Sequence, residues 1–174
     1  ELDALASALD LTRRAKAVGT RIAGRTPHLR ALSRSIPNLR SLEREIRAKV
    51  TPSGELDDVA TPFLRELRRE ARAAYRRATD ALESAMGAEG AEEFLQERLV
   101  TLRSDRLVVP VKAEFRSRMP GVVHGVSDSG ATLFVEPFAS VGATNVWRER
   151  MAQERDEMAR ILRQLSMAVW KQVA

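Results

Sequence analysis

The sequence contains no cysteine and only two histidines, His28 and His124. Without cysteine the chain has neither disulfide bridges nor thiolate metal ligands. Two isolated histidines do not supply the ligand set of an ordinary zinc site. The absence of disulfide chemistry is typical of cytoplasmic proteins, and the cytoplasm is the location that we expect for this chain.

Long apolar runs are also missing. The longest ones are far shorter than the ~20 residues that a membrane-spanning helix requires. The first ten residues include Glu1, Asp3 and Asp10, whereas a signal peptide begins with basic residues. We therefore expect no segment that spans a membrane.

Lysine is scarce, occurring only at Lys16, Lys49, Lys112 and Lys171, so the net charge of +5 comes mainly from arginine. The planar guanidinium suits bidentate contact with phosphate, which favours an anionic partner. Between Leu11 and Leu42 there is no acidic residue at all. Such a run can face phosphate, but it is equally typical of a solvated helix face or of a general arginine bias in composition.

Apolar periodicity and capping residues predict three helices in the first part of the chain, over residues 1–22, 27–35 and 38–50. Gly24 is a stop signal for the first helix. The second begins with Thr26 as N-cap and Pro27 in its first turn, and the third has Asn38 as N-cap. The segment "VTPSGELDDVATP" then breaks the pattern with proline and glycine, which indicates a linker or a short half-turn.

Two longer helices follow, separated by an insert. Thr61 and Pro62 open the first, and small and apolar residues in steps of three and four form its seam: Leu64, Leu67, Ala71, Ala74, Ala78 and Ala81. The second helix runs from about residue 139 to residue 174 and is on the order of 50 Å long. Its seam is bulkier and is interrupted only by Glu154: Trp147, Met151, Glu154, Met158, Ile161, Leu165 and Ala168. Their volumes are complementary, which predicts an antiparallel pair.

The insert is rich in branched residues. It predicts four strands, over residues 99–102, 107–111, 122–126 and 133–135. The turn residues of "RSDR" and "SDSG" predict two tight hairpins, and "RSRMPG" predicts a looser bend between them. The fold class is therefore mainly α with a small antiparallel β insert: a helical core and long antiparallel helices that carry the insert at their tip.

The stretch "VVHGVSDSG" places two serines and a histidine close together, as in a nucleophile site. A nucleophile elbow requires G-x-S-x-G in a strand-to-helix turn, but Ser129 stands where the last glycine is needed and a strand follows. The sequence also has no G-x-x-x-x-G-K-S/T motif for nucleotide phosphates. We predict a hairpin turn without catalysis, a packed or surface imidazole at His124, and a strand end at Glu136.

The insert and the helix after it resemble the bacterial MutS paralogues of the second type, the MutS-two family. The resemblance rests on a combination of short elements: Pro110-Val111-Lys112, Gly121 to His124, Ser127 to Thr132, Val135 to Pro137, Asn145, Glu154 and Glu157. Upstream, "SGELDDVATPFLRELR" is similar to another family segment, with Thr61 and Pro62 departing from it.

The resemblance implies a homodimeric ATPase that clamps DNA, built from core, lever and clamp regions. It implies ATP and Mg as cofactors of an ABC-type ATPase, and a C-terminal Smr nuclease domain. This sequence contains neither the nucleotide-binding motif of such an ATPase nor the sequence of an Smr nuclease domain. We therefore expect a fragment of a longer protein with no catalysis or cofactor of its own. The family acts on branched DNA and suppresses recombination, and some members rescue collided ribosomes.

In these terms the chain divides into a helical core region, an outgoing lever helix, a β clamp and a returning lever helix, at residues 1–60, 61–97, 98–137 and 138–174. The candidate DNA contacts are the cations and hydroxyls of the insert: Arg103, Arg106, Lys112, Arg116, Arg118, Ser127, Ser129 and Thr132. We expect them to bind the sugar-phosphate backbone without reading bases.

A different function fits the same sequence. Valine-rich strands have edges that a second copy can cover, which would make the insert a dimerisation arm. Trp147 and Trp170 are predicted in the seam and core, and an exposed tryptophan would mark that interface. In this alternative nucleic acid is bound elsewhere in the protein, and the ribosome with its RNA is a possible target instead of DNA.

Overall fold

A computed structural model describes residues 1–22 and 27–172. The helices are α1 Leu2–Ile22, α2 Pro27–Ser35, α3 Arg40–Arg47, α4 Pro62–Met86, α5 Ala91–Phe94 and α6 Phe138–Trp170, and the strands are β1 Thr101–Arg103, β2 Arg106–Lys112, β3 Gly121–Val126 and β4 Thr132–Pro137. The predicted class, mainly α with a small antiparallel β insert, is confirmed. No helix in the described part of the chain is long and apolar enough to cross a membrane.

The chain forms two compact units. The first unit comprises Glu1–Arg65 and Asp156–Ala174, and the second comprises Glu66–Arg155. Each has its own buried apolar cluster. The two long helices α4 and α6 each contribute one end to the first unit and the other end to the second.

The core of the first unit is aliphatic. It consists of Ala6, Leu42, Ile46, Val50, Leu56, Leu64, Ile161 and Leu165. Only the first half of the apolar stripe on α1 packs against this cluster, through Leu2, Leu5 and Leu9. Val18 and Ile22 near the end of the helix remain exposed.

The second helix has the predicted bounds, but the third does not. α3 begins at Arg40, two residues after the predicted cap, and ends at Arg47. Asn38 is not the N-cap: that position is Leu39, which provides no side-chain cap, and the Asn38 side chain only accepts a long hydrogen bond from Arg40 N at 3.4 Å. The predicted signals at Gly24 and Thr26 lie outside the described residues.

The segment predicted as a linker is a tight, anchored turn. Val50 and Leu56 form an antiparallel β-bridge, and both side chains are buried in the core of the first unit. Gly54 has φ +86°, a left-handed conformation that suits glycine. The chain therefore reverses direction here with both ends of the turn fixed by apolar burial.

The start of α4 is as predicted. Thr61 Oγ1 accepts a hydrogen bond from Leu64 N at 3.0 Å, which is the geometry of an N-cap, and Pro62 is the first helical residue. The predicted seam is buried except at its last position, where Leu82 is fully buried and Ala81 is not. The step from Ala78 is thus four residues, not three.

The seam of α6 differs from the prediction. Met151 is exposed, and Trp170, predicted in the core, is 72% exposed. In the second unit the polar side chains of α6 make ion pairs with α4: Arg150 with Glu70 and Glu154 with Arg68. Trp147 packs edge-on against Tyr75 at a ring distance of 5.5 Å. The two helices of this unit run antiparallel, because higher numbers on one meet lower numbers on the other.

The second unit contains a four-stranded antiparallel sheet in the order β1-β2-β4-β3. Both predicted hairpins are present: Ser104 and Asp105 in the first turn have φ of 48° and 60°, as a two-residue hairpin turn requires, and Gly130 in the second has φ +74°. The strand β2 is central, and its residues from Leu107 to Val111 are buried. The edges of the sheet are β1 and β3.

Two elements of the second unit were not predicted. The bend between β2 and β3 is a 3₁₀ helix, Ala113–Arg118, kinked at Phe115. The short helix α5 buries Ala91 and Phe94 in the cluster formed by Ala78, Leu82, Val109, Val111 and Val135. Both elements close the same apolar core from outside the sheet.

Candidate nucleic-acid interface

A buried carboxylate lies at the base of the sheet. Glu136 on β4 is 1% exposed. Its Oε2 lies 2.7 Å from His124 Nε2 on β3, and its Oε1 accepts a hydrogen bond from Arg106 Nη1 on β2 at 3.3 Å. The same Arg106 nitrogen donates to Asn145 Oδ1 on α6 at 2.6 Å. This cluster joins three strands and the following helix through one acid.

A β-bulge aims His124 at this acid. Val123 pairs with Val135 and Gly125 pairs with Phe134, so one extra residue, His124, stands between two consecutive pairs. A bulge of this kind turns a side chain away from the regular alternation of the strand. Of the two predicted alternatives for His124, a packed or a surface imidazole, the structure shows the packed one. The prediction that Glu136 simply ends a strand missed its buried ion pair with Arg106.

Arg106 is a partly buried member of the predicted DNA contacts. Its side chain is 19% exposed and one of its terminal nitrogens serves both Glu136 and Asn145. A buried ion pair needs its partners for charge compensation. The position of Arg106 is therefore that of an internal counterion of the sheet.

Arg103 has the opposite character. It is exposed, and its guanidinium carbon lies 4.3 Å from the centroid of the Phe134 ring, within the range of a cation–π contact. Stacking on the ring orients the guanidinium while leaving its N–H donors available to solvent. Arg103 and Phe134 line a shallow depression together with Ser104, His124, Gly125, Val126, Ser127 and Asp128.

The three predicted hydroxyl residues belong to the β3–β4 turn. Ser127 Oγ accepts a hydrogen bond from Thr132 N at 3.0 Å and lies 3.3 Å from Ser129 Oγ. Ser129 Oγ is 3.4 Å from Ala131 N, and Gly130 N donates to Ser127 O. The turn joins two strands, which confirms a hairpin and not a nucleophile elbow. Its hydroxyls stabilise the loop locally.

Two other predicted cations meet at one residue of α5. Lys112 Nζ donates to the backbone oxygen of Glu93 at 2.8 Å, and Arg118 Nη1 lies 3.7 Å from Glu93 Oε2. The Arg118 side chain is 49% exposed and also lies near the Phe94 ring. Lys112 pairs across the sheet with Thr132, so this group adjoins the hydroxyl turn.

Arg116 holds the backbone of the bend. Its Nη1 donates to Met119 O at 2.8 Å and its Nη2 to Gly121 O at 2.6 Å. These two carbonyls precede and begin β3, so the guanidinium fixes the path of the chain into that strand. The predicted arginines thus fall into three kinds. Arg103 and Arg118 are exposed, Arg106 is an internal counterion, and Arg116 holds backbone carbonyls.

The serine and the histidine of this hairpin do not form a nucleophile–base pair. Ser127 has no imidazole hydrogen-bonded to it among the described residues, and His124 is directed at Glu136 instead. Within residues 1–22 and 27–172, no group of three His, Asp or Glu side chains could hold a metal ion. What the arrangement offers is a small sheet with oriented cations and hydroxyls on its surface.

No protein-family model matches the chain. Several curated proteins are nevertheless similar to it. "Endonuclease MutS2" of Pelotomaculum thermopropionicum is 44% identical over 143 residues, which are 82% of this chain and 18% of that protein. "Putative endonuclease MutS2" of Bacillus subtilis is 42% identical over 128 residues, or 74% of this chain and 16% of that protein.

The similarity extends almost from end to end of the chain in one relative. "Endonuclease MutS2" of Thermomicrobium roseum is 37% identical over 168 residues, which are 97% of this chain and 21% of that protein. The chain spans about a fifth of the length of the curated relatives that it matches. On these identities and coverages, the chain belongs to the MutS2 family.

Proposed function

We propose that the chain is a DNA-binding part of a MutS2-type ATPase and endonuclease, and that it holds duplex or branched DNA by the backbone without reading the sequence. In this proposal residues 1–60 are the core region, 61–97 and 138–174 the outgoing and returning levers, and 98–137 the clamp. The net charge of +5 and the nuclease names of the relatives support an anionic, phosphodiester partner.

The proposal rests mainly on where the charged side chains of the sheet lie, with one acid buried and two arginines exposed. The acid Glu136 is buried and is compensated by Arg106 and His124. The cations Arg103 and Arg118 are exposed, each beside an aromatic ring. Exposed, oriented guanidinium groups favour contact with phosphate, and the exposed acid Glu93, which lies 3.7 Å from Arg118, competes for one of them. Asp128 at the rim of the depression limits the contact to the Arg103 side of the turn.

For the whole protein we propose a homodimer that uses ATP and Mg, cleaves DNA through a nuclease domain and suppresses recombination at branched intermediates. The sequence has no P-loop motif for nucleotide phosphates. We assign ATP and Mg to other parts of the protein, and we assign binding, not catalysis, to these residues.

The test is binding of the chain to a four-way junction, a linear duplex of the same length and ribosomes, each titrated with salt. We expect tight, salt-steep binding to the two DNA forms, and weaker binding to both when Arg103, Lys112 and Arg118 are changed together to Gln. Arg116 is left intact because its donors hold two backbone carbonyls. Equal binding by the triple variant would remove the sheet from the interface, and preference for ribosomes would favour ribosome rescue.

A second candidate function is dimerisation through the sheet. The edge strand β3 leaves Val122 and Val126 42% and 54% exposed, and an open apolar edge favours pairing with another strand. Sedimentation of the chain over a hundredfold range of concentration distinguishes the two proposals. This role for β3 would be supported by a dimer that dissociates on dilution. Changing Val126 to Lys should then weaken the dimer without loss of DNA affinity.

A further inference from the structure

The shallow depression of the sheet is lined by two side chains of opposite charge, Arg103 and Asp128. Its volume is about 450 Å³, which lies within the ~300–1,000 Å³ that is usual for small-molecule sites. Both side chains are exposed. In the part of the chain that the structure describes, neither of them forms an ion pair or a side-chain hydrogen bond. The depression therefore offers a donor group and an acceptor group that the fold itself does not use.

An aromatic ring forms the apolar part of the depression. Phe134 on β4 pairs with Gly125 on β3, and residues directly opposite each other in an antiparallel pair share one face of the sheet. A Cβ on Gly125 would lie 3.8 Å from Phe134 Cδ2, in ordinary van der Waals contact with the ring. Because glycine has no side chain, this edge of the ring stays open to the depression.

The guanidinium of Arg103 adds a second flat group to this ring. Its central carbon lies over the Phe134 ring, 4.3 Å from the centroid, in a cation–π contact that orients the group. A guanidinium is planar and delocalised, so its outer face can stack on another π system. Unpaired nucleobases stack on aromatic rings and on arginine planes in this way.

Asp128 decides between a phosphate and a base as the ligand. Its carboxylate repels phosphate and opposes the attraction of Arg103, so the depression suits an uncharged group with a flat face and N–H donors. The bases are the uncharged parts of DNA, and carboxylates accept hydrogen bonds from their amino groups. Guanine presents two adjacent N–H donors on its pairing edge, whereas thymine presents one between two carbonyl oxygens.

We propose that this depression binds one unpaired nucleobase of a bulge, junction or single-stranded end, stacked on Arg103 and hydrogen-bonded to Asp128. The inference rests on the proposed function, because it assumes that the chain binds DNA. In a continuous duplex the base faces are stacked and the pairing edges are occupied, so the depression has no access to them. The site should thus add affinity for interrupted DNA to the backbone contact that holds any duplex.

The experiment measures binding of the full 174-residue chain to four forms of one short DNA duplex. One form is fully paired, and the other three carry an extra guanine, an extra thymine or an extra abasic sugar-phosphate in one strand. The abasic form interrupts the duplex with the same backbone but without the base. The ratio of guanine-bulge affinity to abasic-bulge affinity therefore isolates the contribution of the base.

Three variants locate this contribution in the chain. Arg103→Lys keeps the positive charge and removes the planar group, and Asp128→Asn removes the negative charge. The matched control is Arg148→Lys, the same change as at Arg103 but at an exposed position of α6 outside the depression. Circular dichroism verifies the helix content of each variant.

We expect the parent chain to bind the guanine bulge at least about fivefold more tightly than the abasic bulge, the lower end of what one stacked base contributes. Arg103→Lys should reduce this ratio to below about twofold, and Arg148→Lys should leave it as in the parent. Asp128→Asn should reduce the preference for the guanine bulge over the thymine bulge.

The outcomes separate this inference from the proposed function. Equal affinity of the parent for the guanine and abasic bulges, with salt-dependent binding to the paired duplex, overturns the inference and leaves the proposed function standing. The inference is also wrong if Arg103→Lys weakens all four DNA forms by the same factor, because Arg103 then contacts only phosphate. If the parent shows no salt-dependent binding to any form, the proposed function fails and the inference fails with it.

Discussion

The two units each bury carboxylates, but they compensate them with different kinds of partner. In the first unit Glu157 is buried and accepts hydrogen bonds from Thr61, the cap of α4, and from Arg160 one turn along its own helix. In the second unit Glu136 is buried against His124 and Arg106, which come from two other strands. Glu157 is thus held by a helix terminus and by a neighbour on its own helix, whereas Glu136 is held by side chains from other strands of its sheet.

This difference predicts different consequences for the loss of each acid. The partners of Glu157 keep their own helical hydrogen bonds if it is removed, and Arg160 is exposed enough to be solvated, since its side chain is 47% accessible. The partners of Glu136 each lie at only 19% side-chain exposure, and the other hydrogen-bond partner of Arg106, Asn145, is uncharged. The sheet therefore depends on its buried acid more than the helical unit depends on its own.

The largest effect is expected from Glu136→Ala. It leaves Arg106 enclosed without its counterion and should lower the free energy of unfolding by about 3–5 kcal/mol, the usual cost of breaking a buried ion pair. Urea denaturation followed by circular dichroism measures it, with the exposed Glu149→Ala as control. A loss below about 1 kcal/mol would show that the cluster is solvated and would erase the contrast between the units.

A second substitution tests the close approach of β3 to β4. A Cβ on Gly121 would lie 2.2 Å from Glu136 O and 2.8 Å from Val135 Cγ1, so Gly121→Ala must displace backbone. Overpacking of this kind costs about 1–3 kcal/mol. Gly125→Ala, in the same strand, meets only Phe134 Cδ2 at 3.8 Å and is the matched control. Equal denaturation midpoints for the two variants would contradict the tight contact.

The smallest effect is expected in the first unit and depends on pH. The hydrogen bond from Arg160 lowers the pKa of Glu157 from 4.5, with a further contribution from Thr61. A folded-state pKa below the unfolded value stabilises the protein above pH ~4.5, and this stabilisation is lost as the pH falls through the folded-state pKa.

Glu157→Gln should accordingly lower the free energy of unfolding by about 1 kcal/mol at pH 7. The effect is small because Arg160 is partly exposed and solvent screens its charge. The difference between the variant and the parent should shrink as the pH falls below 4.5. Thermal unfolding at several pH values measures both. A difference that persists unchanged into acid would show that Glu157 acts through its shape and not through its charge.

The helices and hairpins could be predicted from the sequence because their signals are local. The cap at Thr61, the periodic seam of α4 and the turn residues around Asp105 and Gly130 each act within a few residues. Asn38 is not the cap because α3 begins at Arg40 with Leu39 as its N-cap, and the buried residues of this helix, Leu42 and Ile46, pack against distant parts of the chain. Local propensity does not contain that information.

The candidate site could be predicted only as a set of residue types. Sequence spacing places cations and hydroxyls on the insert, but it cannot distinguish exposed Arg103 from enclosed Arg106, three residues later in a hairpin. That distinction depends on Glu136 and Asn145, which lie far away in the sequence.

The bulge at His124 has a consequence for how this hairpin can vary in length. Because alternation restarts at Gly125, the two parts of β3 are out of phase with each other. Deleting His124 would make the pairing of β3 with β4 regular, because Val123 and Gly125 already pair with consecutive residues of β4, but it would remove the imidazole from Glu136. Insertions and deletions should accumulate instead in the turn near Gly130, where a side chain would meet open space. The outer end of the hairpin is thus free to change while its base is not.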